Sequence, residues 1–136
     1  MFFEKVSLVT GGFAPIHSGH IRYFERAKDL STYLVVGLNG DPWLTRKKGQ
    51  YFQSWTERAD IIRHLNMVDA VVSWDDVDDS ACGAIEKCLE ISQTVVFCNG
   101  VCFLVGLTRL FSKCFRPYSP KLLHIPNNFR CRSKYP

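Results

Sequence analysis

No acidic residue follows Glu90 in this 136-residue chain. Residues 91–136 carry 7 Lys or Arg, whereas residues 1–90 hold 10 Lys or Arg against all 13 Asp and Glu, so the formal charge of +4 is unevenly distributed. Long hydrophobic runs are also missing. The longest, "VCFLVGL" at residues 101–107, has seven residues, far short of the ~20 that cross a bilayer, and no membrane span is expected. Glu4 and Lys5 precede any apolar run, which is not the pattern of a secretory leader, and a cytoplasmic location is the expectation. None of the six cysteines forms a Cys-x-x-Cys pair, which weakens any zinc reading. Cys82 and Cys88 fall on an expected helix and Cys98 ends an apolar strand, positions where a thiol acts as a small core hydrophobe, not as part of a disulfide scaffold. Internal repeats and low-complexity tracts are absent.

What is present suits one globular domain. Hydrophobic residues make up 46% of the chain, too many for a disordered one, and the length is that of a single ordinary domain. "VSLV", "YLVVGL", "DAVVSW" and "TVVFC" read as four strands ending at Val9, Leu38, Trp74 and Cys98. Strands buried on both faces form continuous apolar runs of this kind. Between the first two, Ile21, Phe24, Ala27 and Leu30 recur at helical spacing. "NGDP" at residues 39–42 reads as a break. "SWTE" has the form of a capping box, Ser54 and Glu57 opening a helix through Ala59, Ile62 and Leu65. A further helix runs through Ala81, Ala84, Ile85, Cys88 and Leu89. Alternating strands and helices predict an α/β fold, a Rossmann-like parallel sheet with helices on both faces and right-handed crossovers. Ligands of such sheets sit beyond the carboxyl ends of the strands. The candidate loops are therefore residues 11–20, 39–50, 75–79 and the segment from 99 onward.

The first of these loops carries the strongest chemical signal, "TGGFAPIHSGH" at residues 10–20. Gly11 and Gly12 end strand one and let a bulky anion approach the backbone. His17 and His20 fall where the first helix begins, with Gly19 between them. A helix N-terminus offers amides and partial positive charge, and a phosphate belongs there. Two imidazoles there can donate to phosphate oxygens as charge develops on phosphorus and on a leaving pyrophosphate. A substrate phosphate can itself attack, with catalysis by positioning and charge stabilisation. A single histidine at a helix start is usually a cap or a surface residue. A His-x-x-His pair without a third ligand is weak evidence for a metal site. No metal held by protein side chains is expected.

"GGFAPIHSGHIRYFERAKDL" resembles the His-x-Gly-His segment of the cytidylyltransferase-like nucleotidyltransferase superfamily, here His17-Ser18-Gly19-His20. The likeness runs from about Lys5 to Gly100 and implies the nucleotidyltransferase (HIGH-superfamily) type of fold. Members such as glycerol-3-phosphate cytidylyltransferase, the heptose-phosphate adenylyltransferase domain and pantetheine-phosphate adenylyltransferase move a nucleotidyl group from CTP or ATP to a phosphorylated small molecule. The resemblance implies His17, His20 and Lys48 as catalytic residues. It implies that Thr10, Gly11, Gly12, Phe13 and Gly19 line the phosphate path, with Lys47 and Arg58 as further nucleotide contacts. "RKKG" at residues 46–49 resembles the basic loop after strand two, where a mobile ammonium can follow moving charge. Asp41 matches an acid that holds the acceptor. Mg²⁺ is implied as the companion of the triphosphate, held largely by its oxygens and water. Relatives often form homodimers, so a homodimer stays open.

Two departures accompany the match. Ala14 stands where relatives of this type usually carry Asp. After "VVFCNG" at residues 95–100 the family's acidic continuation and its Ser/Thr-rich late helix start are missing. Residues 1–100 are therefore read as the nucleotidyltransferase-like core, and residues 101–136 as a divergent basic segment of the same domain. A change of reading frame after codon 100 would produce such a break. A basic tail for nucleic acid is the rival reading, but its cations are dispersed, and nucleic-acid binding is not expected. The expected function is nucleotidyl transfer with release of pyrophosphate. The alternative is a catalytically impaired nucleotide- or phosphate-binding relic of the family.

Overall fold

The computed structural model describes residues 3–98 and 123–126. Its elements are, in chain order, β1 (Phe3–Gly11), α1 (Ser18–Lys28), β2 (Tyr33–Leu38), α2 (Asp41–Lys48), α3 (Trp55–Arg63), β3 (Ala70–Val72), α4 (Cys82–Leu89), β4 (Ser92–Cys98) and β5 (Leu123–Pro126). The sheet order is β3-β2-β1-β4-β5. The first four strands are parallel, as the alternating pattern predicts, and β5 joins the edge antiparallel to β4. A short strand was expected around "LLHI", and β5 falls there, one residue later. The helix suggested by the apolar spacing at 104, 107, 111 and 115 lies outside the described residues.

Period-two alternation decides which side chain faces which helix layer. Val9, Leu34, Val36, Leu38, Val96 and Cys98 pack with Phe24, Ala27, Ala59 and Ile62, the apolar faces of α1 and α3. Their sequence neighbours Val6, Leu8, Val35, Val95 and Phe97 pack with Ala84, Ile85 and Cys88 of α4 on the opposite face. Both faces of the sheet are thus covered, and this is why the strands read as unbroken apolar runs. Phe24 is fully buried, an arrangement that contributes about 1.5–3 kcal/mol for such a side chain. Cys88 and Cys98 are buried free thiols, and burial pushes the Cys88 thiol up to about 12. Cys82 is buried as well, at 5% exposure, so the reading of these three cysteines as small core side chains holds.

Two elements differ from expectation. Most of the predicted 39–50 loop is the helix α2, with Gly40 as N-cap and Pro within its first turn. Proline favours that position, where its missing N–H has no helical partner. The helix ends at Gly49, whose φ of 82° is left-handed, a conformation that glycine adopts without strain. "NGDP" is therefore a helix start and not a break, and the basic run Arg46–Lys47–Lys48 is the last turn of α2. Strand three is also shorter than the predicted residues 69–74. The Asp69 carboxylate accepts from the Leu34 amide at 2.7 Å and from Lys28 Nζ at 2.5 Å. It acts as a bridge to β2 at the point where the strand begins.

The strand order reverses at β1, with β2 on one side and β4 on the other. The chain steps outward from β1 to β2 and β3 and then crosses back through α4 to β4 on the other side of β1, which opens a crevice beyond the carboxyl ends of β1 and β4. The 11–20 loop lies at that point.

Candidate active site

β1 ends at Gly11 and the chain turns through Gly12 and Phe13 before reaching α1. Phe13 has a φ of 47°, a left-handed conformation that costs a non-glycine residue free energy. Its ring is 7% exposed and meets Phe24 and His20 edge-on, both at 5.0 Å between centroids. Burial of the ring holds the strained turn in place and sets an apolar floor under His20. A cis Ala14–Pro15 peptide then leads to the helix.

α1 begins with both histidines. His17 is the N-cap, in extended conformation, and His20 is the third helical residue. The amide of Gly19 donates to His17 Nδ1 at 3.1 Å, and the amide of His17 donates to His20 Nδ1 at 3.3 Å. This is a two-way cap built from imidazoles. At α3, where the sequence pattern predicts a capping box, Ser54 Oγ accepts from the Glu57 amide at 3.3 Å, which is one half of it. The two histidine rings stack, with centroids 3.8 Å apart and planes 21° from parallel.

The cap has a chemical consequence. A ring nitrogen that accepts from an amide carries no proton, so a neutral imidazole held this way carries its proton on Nε2. Each ring therefore keeps an Nε2–H donor that the cap does not use. His20 is lowered to about 4, first by burial, then by the electrostatic influence of His17 and of Lys48. It is neutral at physiological pH.

Lys48, the last residue of α2, donates from Nζ to the carbonyl of Ala14 at 2.7 Å. It stands over the loop between β1 and α1. The two cations before it point elsewhere. Lys47 Nζ bonds Asp79 Oδ2 at 2.9 Å, and Arg46 donates to the Asp76 carbonyl at 3.0 Å and to Asp79 Oδ1 at 3.4 Å. The Lys47 ammonium, with Arg46 behind it, holds the Asp79 carboxyl below the usual range. Of the basic run, Lys48 joins the histidines, and Lys47 and Arg46 join the acidic loop after β3.

Arg58 lies on α3 and is 1% exposed. Its Nη1 donates to the carbonyls of Gly12 at 2.8 Å and Asn39 at 2.9 Å. Nε donates to the Gln53 carbonyl at 3.1 Å, and Nη2 to Asp41 Oδ1 at 2.7 Å. Asp41, in the first turn of α2, is thus paired with Arg58 through one carboxylate oxygen. Thr10 and Gly11 close β1 against Gly37 and Leu38 of β2, and the Asn39 amide donates to the Gly11 carbonyl at 2.9 Å.

The structure adds residues the sequence did not single out. Asp76, 7% exposed, accepts on Oδ2 from Asn39 Nδ2 and from the Gly40 amide, both at 3.0 Å. It joins the loop after β3 to the start of α2. In the sequence Asp76 is one of several acids at residues 75–79, and nothing local distinguishes the buried one. Asn39 carried no signal beyond its place in a turn.

A parallel sheet with its crevice at β1, and a strained, glycine-lined turn leading into a histidine-capped helix with a lysine over it, define the class as an α/β domain of Rossmann-like type. The chain belongs to the cytidylyltransferase-like family, which it matches over residues 8–108, and through it to the nucleotidyltransferase superfamily. The match continues past Gly100, where the resemblance read from motifs ends. Among proteins with similar sequences is the bifunctional protein HldE of Campylobacter concisus, 40% identical over 75 residues that cover 54% of this chain and 16% of that protein. The FAD synthase of Thermococcus sibiricus is 41% identical over 71 residues, 51% of this chain and 48% of that enzyme. The chain thus spans less than half of either relative. The crystal structure of a lipopolysaccharide core biosynthesis protein from Thermoplasma volcanium superposes with a TM-score of 0.51 at 27% identity, covering 65% of this chain and 68% of that one. No helix among the described residues is long and apolar enough to cross a membrane.

Proposed function

We propose that this chain transfers a nucleotidyl group from CTP or ATP to a phosphorylated small molecule and releases pyrophosphate. The observation that carries the reading is the stacked His17–His20 pair, each ring bonded at Nδ1 to a cap amide and left with Nε2–H as a donor. Two Nε2–H donors side by side suit an oxygen that gains charge on the way to a pentacovalent phosphorus. The cap holds the orientation of both rings before substrate arrives. The acceptor phosphate is the nucleophile, so the protein contributes positioning and charge. Lys48 neutralises charge between the two reactants, and the turn at Gly11, Gly12 and Phe13 lines the polyphosphate path.

The donors gathered here are imidazoles, an ammonium and a carboxylate already paired with Arg58, which is not a cage for a hard divalent cation. Mg²⁺ would therefore come bound to the triphosphate oxygens and would supply charge neutralisation of the leaving group. Use of a nucleoside triphosphate and a phosphorylated metabolite suits a cytoplasmic setting.

The test is pyrophosphate release with Mg²⁺ and each nucleoside triphosphate against a panel of sugar and polyol phosphates. Turnover with CTP or ATP that depends on the acceptor is the expected result. The absence of the family's late motifs after Gly100 favours a second reading, a binding relic. Calorimetric binding of CTP or ATP without turnover for any acceptor would select it.

A further inference from the structure

We propose that Arg58 is a positioning residue that sets the spacing between the two substrates. The inference rests on the proposed nucleotidyl transfer for its substrates, and on the hydrogen-bond geometry for the device. The guanidinium touches four segments that are separate in sequence: the turn after β1 at Gly12, the end of β2 at Asn39, the first turn of α2 at Asp41, and the segment before α3 at Gln53. On the proposed reading Gly12 lines the polyphosphate path and Asp41 holds the acceptor. One planar group holds both, Nη1 on the Gly12 carbonyl and Nη2 on the Asp41 carboxylate, so its rigid geometry fixes their separation.

A surface arginine that merely pairs with an acid keeps most of its donors in water. Here the side chain is 0% exposed, and burying a charge is unfavourable unless its hydrogen bonds are met. An apolar side chain of similar volume would fill the space without that desolvation cost. What it could not do is grip three carbonyls and a carboxylate at once. Lysine could not either, because a single ammonium presents three donors from one point. Asp76 supports the arrangement from the other side by holding Asn39 and Gly40. Its hydrogen bonds go to protein groups, so it acts through Gly12 and Asp41.

The experiment compares the full chain with Arg58→Lys, Asp41→Asn and the double variant, well below each melting temperature. Arg58→Lys is expected to lower kcat at least tenfold, with less than threefold change in KM for the Mg²⁺-nucleotide. The double variant is expected to be no slower than Arg58→Lys alone, as two residues of one device require. Amide hydrogen exchange is expected to quicken at residues 11–13 and 39–41 and to stay unchanged along β4. Parent-like kcat in folded Arg58→Lys, multiplicative losses in the double variant, or uniformly faster exchange would overturn the proposal. If the parent shows no turnover with any nucleotide, the proposed function fails separately. Exchange and calorimetric binding of pyrophosphate then decide Arg58, with local loosening and at least tenfold weaker binding expected, and no change overturning it. If Arg58→Lys does not fold, Asp41→Asn decides. Exchange must then quicken at residues 12 and 39 as well as 41, and quickening confined to 41 overturns the idea.

Discussion

A Cβ on Gly19 would lie 2.9 Å from Cε1 and 3.0 Å from Nδ1 of His17. The glycine between the two histidines is therefore a space for an imidazole, not only a flexible link. Gly19→Ala should push the His17 ring out of its stack with His20. The ring can swing into solvent, so the cost in stability should be that of a lost cap bond, about 1 kcal/mol. The loss of kcat should be larger, tenfold or more. Melting temperature and initial rates on one preparation check the contrast, and an unchanged kcat would remove His17 from the mechanism.

His17→Asn and His20→Asn test the donors with the cap largely kept, because Asn can accept from a helix amide. Each should lower kcat by about 100-fold or more, the usual effect of removing one donor to a developing oxyanion. Nucleotide affinity by calorimetry should change much less. A drop in affinity with kcat unchanged would mean that the rings bind the ground state and transition state equally.

Lys48 and Lys47 are neighbours with different partners, the Ala14 carbonyl for one and Asp79 for the other. Lys48→Met should cost kcat at least tenfold. Lys47→Met should leave kcat within about threefold, because its ammonium already serves an exposed ion pair of small energetic weight. Reversal of that order would show that the last turn of α2 rearranges when substrate binds.

The buried side of His20 predicts a pH dependence. Its folded value is lowered to about 4 from 6.5, so the unfolded chain takes up the proton first as pH falls. Stability from this group is present above pH 6.5 and is lost progressively between pH 6.5 and about 4. Thermal melts across that window should fall more steeply for the parent than for His20→Asn. Equal slopes would mean that the ring is solvated and not lodged against Phe13.

Much of the fold was legible because it rests on local patterns. Apolar runs marked strands covered on both faces, and their alternation with helices implied a parallel sheet whose ligands sit beyond its carboxyl edge. "GGFAPIHSGH" was legible as a candidate site because glycines, a strand end and a helix start coincide there. The helix α2 was not, since "NGDP" has the composition of a turn, and its helical geometry depends on the Asp76 carboxylate that receives the Gly40 amide from a loop 36 residues away.

By itself the sequence determined the periodicities, and with them the sheet, its covered faces and the presence of two imidazoles at the first helix start. Such features depend on residues within a turn or two of one another. Only the tertiary structure decided that the histidines cap their own helix through Nδ1, that Lys48 and not Lys47 reaches their loop, and that Arg58 is buried among four chain segments. The last two outcomes depend on which distant carbonyl or carboxylate lies within about 3 Å of a donor. No spacing along the chain encodes that distance.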